Sequence, residues 1–394
     1  MKKVGLCIQF NKVDNYGTVL QAYATIKSIA SIGYEPRIIE YQKKYNLKFI
    51  FSQLPRIFEA SNWTGTKRKK RIKKGLKNSK LFREYTESRK NSFKSFRNRR
   101  FRSDLIDTFV GYDSLKKGSS SYDAFLVGSD QLWLPSGVKT NFYNLMFVPN
   151  EIKKVSYSTS FGVSEIPKKQ RKEYRIFLNR FSALGVREKS GVEIIKDLTN
   201  RDACLVCDPV MLLERKEWDA EIATFPSPVP YGNGEYVLSY ILGDNMEARN
   251  FAKKMASRLN KKLVTIKFTE DYISFDEYYG DYSPKDVSPE QFIKLIKEAY
   301  CVVTDSFHGT AFSIIYEKDF YVFYRFANTY KYSKNTRIDN ILAKFRLEDR
   351  LIKDINSYTD YERIDYSKIA NVLSDWRKES LAFLKCSLDE DCSK

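Results

Sequence analysis

The feature that most constrains the fold is the order of strand, helix and strand in the first 41 residues. Val4–Phe10 is an apolar run typical of a buried strand, and the polar loop Asn11–Gly17 follows it. Thr18–Ile32 has apolar residues at helical spacing, and Glu35–Tyr41 has the composition of a second strand. Two strands joined through a helix form a βαβ unit, so the chain is predicted to contain a parallel sheet.

A second βαβ unit is predicted further along the chain. Thr224–Gly234 holds three prolines and two glycines and is the best linker candidate. Strand Tyr236–Leu242, helix Asn245–Leu259 and strand Lys262–Phe268 follow it. The fold class is therefore predicted to be α/β, with two Rossmann-like domains facing a cleft. The predicted division is residues 1–223, residues 235–350 and a helical tail over residues 351–394.

The net charge of +19 is concentrated in one segment. Between Lys67 and Arg102, seventeen lysines and arginines face two glutamates, which leaves +15 in a helix-prone insertion at about residues 45–105. Apolar residues recur within it at helical spacing, at Ile72, Leu76, Leu81, Phe82, Tyr85, Phe93, Phe96 and Phe101. One interpretation is a solvated insertion that packs on the first domain. The other is a peripheral contact with an anionic membrane surface. Nucleic acid is not the expected partner, because the segment lacks a base-reading module.

The cysteines and the apolar runs bear on the compartment. No secretory signal and no apolar run near the length of a membrane span is visible. Cys204 and Cys207 have the spacing of a metal pair, but they lie in an apolar run without a second pair, so buried strand cysteines and no metal are expected. Together these features predict a cytoplasmic protein. Its oligomeric state is left open.

Polar residues follow several predicted strands, where ligands of parallel sheets bind. Arg187 follows one strand and is placed to bind phosphate or carboxylate, or to form a surface ion pair. Asp130 follows another and is either a base or a helix cap. The other candidates for the edge of the site are Asn15, Gly17, Ser129 and Gln131.

The sharpest local feature is the run Asp305-Ser306-Phe307-His308-Gly309. It joins a buried strand to a helix, whose free N–H groups and partial positive charge suit an anion. Gly309 removes the side chain where a ligand must approach. His308 is the chain's only histidine and can pass protons near neutral pH. It is therefore the predicted catalytic residue, and Asp305 is placed at the cleft.

Six segments in order resemble the motifs of the polysaccharide pyruvyl transferase family. They are Asn15–Tyr23, Gly128–Trp133, Ser156–Ser158 with Ser160–Gly162, Val186–Gly191, Asp208-Pro209 and Thr304–Gly309. The resemblance implies a GT-B-like fold and transfer of a pyruvyl group from phosphoenolpyruvate onto two hydroxyls of a sugar, or of a lipid-linked oligosaccharide, as a ketal. It implies that Arg187 binds the donor, and that no metal or nicotinamide cofactor takes part.

One position departs from part of that family. Some members have arginine two residues before the histidine, where this chain has Ser306. The positive charge of that arginine has to come from elsewhere, and Arg325 and Arg337 are the candidates. Ser306 and Gly309 are also predicted to bind the donor. A rival interpretation is a glycosyltransferase of the same GT-B-like fold that uses an activated sugar donor. A second rival is a non-enzymatic binder of nucleic acid or membranes built around Lys67–Arg102.

Overall fold

The computed structural model describes residues 1–11, 13–44, 60–136, 141–326, 335–355, 358 and 361–389 of the 394-residue chain. Residues 45–59 of the predicted insertion and residues 390–394 of the predicted tail lie outside the described residues. The described chain forms two parallel β-sheets with helices packed on them. This confirms the predicted α/β class.

The first sheet has seven parallel strands in the order β3-β2-β1-β4-β5-β6-β7. They are β1 Lys3–Cys7, β2 Glu35–Gln42, β3 Ile106–Val110, β4 Ala124–Val127, β5 Lys153–Thr159, β6 Ala183–Val186 and β7 Cys204–Leu205. β1, β4 and β5 lie at the centre and are almost wholly buried, and β4 is an unbroken apolar run. All seven strands precede the predicted linker.

The second sheet has four parallel strands in the order β11-β10-β8-β9. They are β8 Tyr236–Tyr240, β9 Lys262–Thr265, β10 Cys301–Thr304 and β11 Asp319–Val322. The two sheets are unequal in size, so the halves are less alike than the repeated βαβ pattern suggested. The first half of the molecule is defined as residues up to 223, and the second half as residues 235–355.

The helices that pack on these sheets, or join them, run along the whole described chain. They are α1 Tyr16–Ser31, α2 Ala60–Asn78, α3 Lys80–Arg100, α4 Tyr112–Gly118, α5 Arg171–Leu178, α6 Lys189–Thr199, α7 Pro209–Leu212, α8 Arg215–Ile222, α9 Met246–Arg258, α10 Pro289–Glu298, α11 Phe307–Ile315, α12 Thr336–Phe345 and α13 Ser367–Leu388. Helix α1 begins two residues earlier than predicted because the Asn15 side chain accepts the N–H of Thr18 and caps the helix there. None of the described helices is long and apolar enough to cross a membrane.

Helices α2 and α3 form a basic hairpin, defined here as Ala60–Arg100. Its apolar face is buried: Phe82, Tyr85, Phe93 and Phe96 are all inaccessible to solvent or nearly so. The Tyr85 hydroxyl donates to the carbonyl of Ser283 at 2.6 Å, a contact with the second half. The expectation that this segment packs on the first half is therefore incomplete, because the hairpin also covers the second.

The arginines of the basic hairpin hold the two halves together. Arg68 pairs with Glu270 at 2.8 Å in the second half. Arg97 Nη1 donates to the Asp14 carboxylate at 2.8 Å in the first half. Further pairs to the two halves include Arg71 with Asp271, Arg99 with Glu290 and Arg100 with Glu221. Since these partners lie far apart in sequence, no local pattern could have predicted them.

Helix α13, near the end of the described chain, returns to the first half. The Cys207 amide donates to Ser380 Oγ at 3.0 Å, and Arg377 Nε donates to the Met211 carbonyl at 2.8 Å. A Cβ on Gly185 would lie 2.6 Å from the Phe383 ring, so a strand glycine makes room for this helix. The predicted long helix is present, and it is part of the first half's core.

The prediction of two buried strand cysteines is half wrong. Cys207 is buried, whereas Cys204 is exposed. The reason is that Cys204 lies on β7, a two-residue strand at the edge of the first sheet.

Candidate active site

The carboxyl ends of both sheets meet at one place, and His308 is inserted there from the second half. It lies in the first turn of α11, directly after β10. Its ring touches α1 of the first half so closely that a Cβ at Gly17 would lie 2.0 Å from Nδ1. Gly17 is therefore required for the imidazole to enter the first half.

Asp208 is the centre of the contacts around His308. Its side chain is fully buried, and Oδ2 lies 3.7 Å from His308 Nε2, an ion-pair distance longer than a hydrogen bond. The same oxygen accepts Ser129 Oγ at 2.8 Å, and Oδ1 accepts the amide of Val210 at 3.1 Å. Burial acts to raise the pKa of Asp208, but His308, Arg187 and the amide outweigh it and hold this pKa well below its usual value. Asp208 is thus an anion at any physiological pH.

Arg187 is the buried cation of this group. Its side chain is 1% exposed, and Nη1 donates to Asp208 Oδ2 at 2.6 Å and to Ser129 Oγ at 3.2 Å. The guanidinium lies 4.7 Å from the centre of the Phe307 ring. Nε and Nη2 have no hydrogen-bond partner among the described residues, although Nη2 lies 4.0 Å from Asp130. Two donors of a buried arginine are thus left for another acceptor.

Asp130 follows β4 in a strained conformation, with φ of +83°. Its carboxylate accepts the Thr18 hydroxyl at 3.1 Å and the Gln131 amide at 2.8 Å. Burial acts to raise the pKa of Asp130, but Arg187, Arg337 and His308 outweigh it and lower this pKa below its ordinary value. An ionised carboxylate is therefore held next to the cationic groups.

Arg337, on α12, is a half-buried cation near Asp130. Burial, followed by repulsion from Arg187, lowers the pKa of Arg337 to about 10. Its Nε has no hydrogen-bond partner in the described part of the chain. The name site cluster is given to the group formed by Ser129, Asp130, Arg187, Asp208, His308 and Arg337.

Arg325 lies closer to Asp305 than to the site cluster. Its Nη2 donates to the Asp305 carbonyl at 3.1 Å, and the carboxylate lies 3.4 Å away. Asp305 also accepts the amides of Leu242 and Gly243 at 2.8 and 2.7 Å. This carboxylate ties the end of β10 to the loop after β8.

Of four other predicted site residues, three have structural contacts of their own. Asn15 caps α1, and Ser306 caps α11 by accepting the Gly309 amide at 3.3 Å. A Cβ on Gly309 would lie 2.7 Å from Thr304 Oγ1, so close packing inside the second half is one reason for this glycine. The side-chain amide nitrogen of Gln131 is buried and has no hydrogen-bond partner among the described residues. Ligand contacts by these four residues stay predictions.

Asp208 and Phe307 are the residues whose roles the sequence did not indicate. Both lie within motifs that carry the family resemblance, but no function of their own could be assigned to them. Asp208 precedes Pro209 and caps the short helix α7, which is a structural role. A further role for Asp208 could have been predicted from its place shortly after a strand. Arg187 was identified as a candidate by the same feature.

The fold and the site cluster define an α/β protein with arginines, carboxylates and one histidine gathered between two halves. Residues 15–325 match the family described as polysaccharide pyruvyl transferase. The chain belongs to this family, and it is a transferase. A comparison with curated proteins gives no match.

Solved structures similar to the chain cover nearly all of it. UDP-GlcNAc 2-epimerase of Neisseria meningitidis bound to UDP-GlcNAc has a TM-score of 0.49 at 10% identity, covering 98% of this chain and 99% of that one. UDP-N-acetylglucosamine 2-epimerase of Rickettsia bellii has a TM-score of 0.46 at 11% identity, covering 98% and 96%. ADP-heptose LPS heptosyltransferase II of E. coli has a TM-score of 0.36 at 10% identity, covering 96% and 99%. At these TM-scores the structural similarities add nothing to the description of the site.

Proposed function

We propose that this chain transfers a pyruvyl group from phosphoenolpyruvate to two hydroxyls of a sugar, forming a ketal and releasing phosphate. The observation that carries the proposal is the pair of unpartnered N–H donors on the buried Arg187. Leaving buried donors unpaired costs about 1–3 kcal/mol each, so a site of this kind favours an anionic acceptor. The phosphate and carboxylate of phosphoenolpyruvate supply such oxygens.

Arg337 is proposed to replace the arginine that some family members have at the position of Ser306. Its Nε is also unpartnered in the described part of the chain, and its charge is repelled by Arg187. An anion between the two guanidiniums relieves that repulsion. Arg325 is the weaker candidate, because its contacts with Asp305 already occupy part of its guanidinium.

His308 is proposed to shuttle protons in the reaction. A proton goes to the methylene carbon of the donor while a sugar hydroxyl oxygen bonds to the neighbouring carbon. The second hydroxyl then bonds to that carbon as its bond to the phosphate oxygen breaks, and phosphate leaves with the electron pair. The two sugar hydroxyls together lose two protons. One proton is gained by the methylene carbon, and the other leaves on the phosphate. Asp130, held ionised, is proposed to accept a hydroxyl proton. No step uses a metal or a nicotinamide cofactor.

The acceptor is proposed to be a sugar of a surface polysaccharide or of its lipid-linked precursor. If the acceptor is the lipid-linked precursor, a cytoplasmic enzyme close to the membrane surface would reach it. The basic hairpin supports this with exposed lysines on one face of α2, at Lys69, Lys73 and Lys77. Because Phe82, Tyr85, Phe93 and Phe96 are buried against the protein, the contact is proposed to be electrostatic, without insertion.

The donor decides between this proposal and a glycosyltransferase. Phosphoenolpyruvate and a panel of nucleotide sugars are compared by calorimetry and thermal shift, without any acceptor. We expect phosphoenolpyruvate to bind and Arg187→Lys to weaken it about tenfold, because lysine keeps the charge but loses the fork. Arg71→Lys, in the basic hairpin, is the matched control. Binding of a nucleotide sugar but not of phosphoenolpyruvate would exclude the proposal.

A further inference from the structure

A large cavity near the second sheet lies away from the site cluster. It has a volume of about 950 Å³, at the upper end of the usual range for ligand pockets. Its walls come from the residues before β8, the start of β9 and the end of α9. This is the amino edge of the second sheet, whereas His308 follows the carboxyl edge.

Two aromatic rings on the rim of this cavity face solvent. Tyr278 is 91% exposed and Phe275 is 41% exposed. Large rings are normally buried, so two neighbouring exposed rings beside a cavity indicate a binding surface.

The segment that carries these rings is firmly held. Tyr279 is buried, and its hydroxyl donates to the Arg249 carbonyl at 3.1 Å. The Asp281 amide donates to the Leu263 carbonyl at 2.8 Å, and the Leu263 amide donates back to the Asp281 carboxylate at 2.7 Å. Gly280 has φ of +92°, and a Cβ there would lie 2.5 Å from the Thr265 side chain. The rim is therefore pre-formed.

Polar groups line the remaining wall. Ser257 and Asn260 line it and are exposed, as are Lys253 and Lys262. Lys261 is neutralised by Glu235 at 3.1 Å, and the Asp281 carboxylate is occupied by the Leu263 amide. The cavity thus offers two rings, a hydroxyl, an amide and three lysines, which exceed its two acids, Glu235 and Asp281, by one positive charge.

We propose that this cavity binds a stretch of acidic oligosaccharide outside the reaction site. Sugar rings have an apolar face that stacks on aromatic rings, and hydroxyls that pair with amides and hydroxyls. The excess positive charge of the lining favours carboxylate-bearing sugars, and a pyruvyl ketal adds such a carboxylate. The proposal rests on the proposed function only in taking a polysaccharide as the substrate. A bound polymer would then be held at two places on the enzyme.

The concave shape distinguishes this site from a contact between copies of the chain. A stable protein interface buries on the order of 800 Å² per partner around a central apolar patch. Here the exposed apolar groups are two rings at the rim of a polar hollow.

The test measures binding to hexasaccharides of hyaluronan and polygalacturonate, with maltohexaose as the neutral probe. Calorimetry and ligand-observed NMR are done on the His308→Gln enzyme, so that turnover plays no part. We expect the acidic probes to bind, and Tyr278→Ala with Phe275→Ala to weaken them about tenfold. Tyr278→Phe keeps the ring and should retain binding. Met246→Ala, which removes an exposed apolar side chain elsewhere, is the control.

Three results would overturn the proposal. They are no binding of any probe at millimolar concentration, equal binding by the double variant, and a change of oligomeric state on Tyr278→Ala in sedimentation. Failure of the proposed function would be observed separately, as a loss of phosphoenolpyruvate binding. A protein that binds no phosphoenolpyruvate can still bind these probes through the cavity.

Discussion

The site cluster and the basic hairpin are both rich in cations, yet their cations do different things. In the hairpin, Arg68 and Arg97 are each paired with an acid from another part of the fold, and their side chains are partly exposed. In the site cluster, Arg187 is buried, has one acid at 2.6 Å and keeps two donors unpaired among the described residues. Exposed ion pairs contribute about 0–1 kcal/mol, whereas an unpaired buried donor costs more.

The comparison shows that the density of charge along the sequence does not indicate where arginines are buried. The segment Lys67–Arg102 holds most of the net charge of the chain, and its arginines serve to join the two halves. The site cluster contributes little net charge, because Asp130 and Asp208 offset its arginines. Substitutions in the two regions should therefore differ in kind.

The largest effect is expected from His308→Gln. Removing the proton shuttle should lower turnover by about 10²-fold or more, while the thermal unfolding temperature changes little. Phosphate release measures the rate, and Arg71→Gln in the basic hairpin is the control that should keep wild-type turnover. Near wild-type rates from His308→Gln would remove the catalytic assignment.

Asp208→Asn should have the next largest effect. The change keeps the shape but leaves Arg187 buried without its anion, so stability should fall by about 3 kcal/mol and turnover by about tenfold or more. We propose that Asp208 positions His308, from which it lies 3.7 Å away, so the pH–rate profile should also shift relative to wild type. An unchanged profile at reduced stability would mean that Asp208 has a structural role only.

Arg337→Met should separate ligand binding from stability. The folded-state pKa of about 10 lies below the ordinary 12.5, so the charged form costs folding free energy at neutral pH. The cost disappears only as pH rises from about 10 towards 12.5, because there Arg337 loses its proton in the folded state. The variant should therefore be more stable than wild type by about 1 kcal/mol or more, yet lose most of the thermal shift given by phosphoenolpyruvate. A full thermal shift would show that Arg337 does not touch the donor.

The smallest effect on catalysis is expected from the hairpin lysines. Replacing Lys69, Lys73 and Lys77 with glutamine should leave turnover on a soluble acceptor unchanged. Sedimentation with anionic vesicles at low salt should fall, since each lysine contributes about 1 kcal/mol at most. Replacing Lys216, Lys368 and Lys378 is the matched control, because these lysines are exposed elsewhere. Equal pelleting of wild type with neutral and anionic vesicles would exclude the membrane proposal.

Much of the fold could be predicted because its strands and helices have clear local patterns. The place of Arg187, Asp130 and His308 followed from one rule, that polar residues after parallel strands meet at one edge. The rule could not predict which of them touch, since Asp208 and His308 are a hundred residues apart. The same limit applies to the basic hairpin, whose partners on the second half lie about 200 residues away.

The close approach of Gly17 to His308 has a consequence for how this enzyme can change in evolution. The imidazole belongs to one half, and the space that it occupies belongs to the other. A recombined first half keeps activity only if it has glycine opposite the histidine and an acid in place of Asp208. A recombined second half keeps activity only if it supplies the histidine. Positions 17, 208 and 308 are therefore expected to be inherited together, although they lie on separate stretches of the gene.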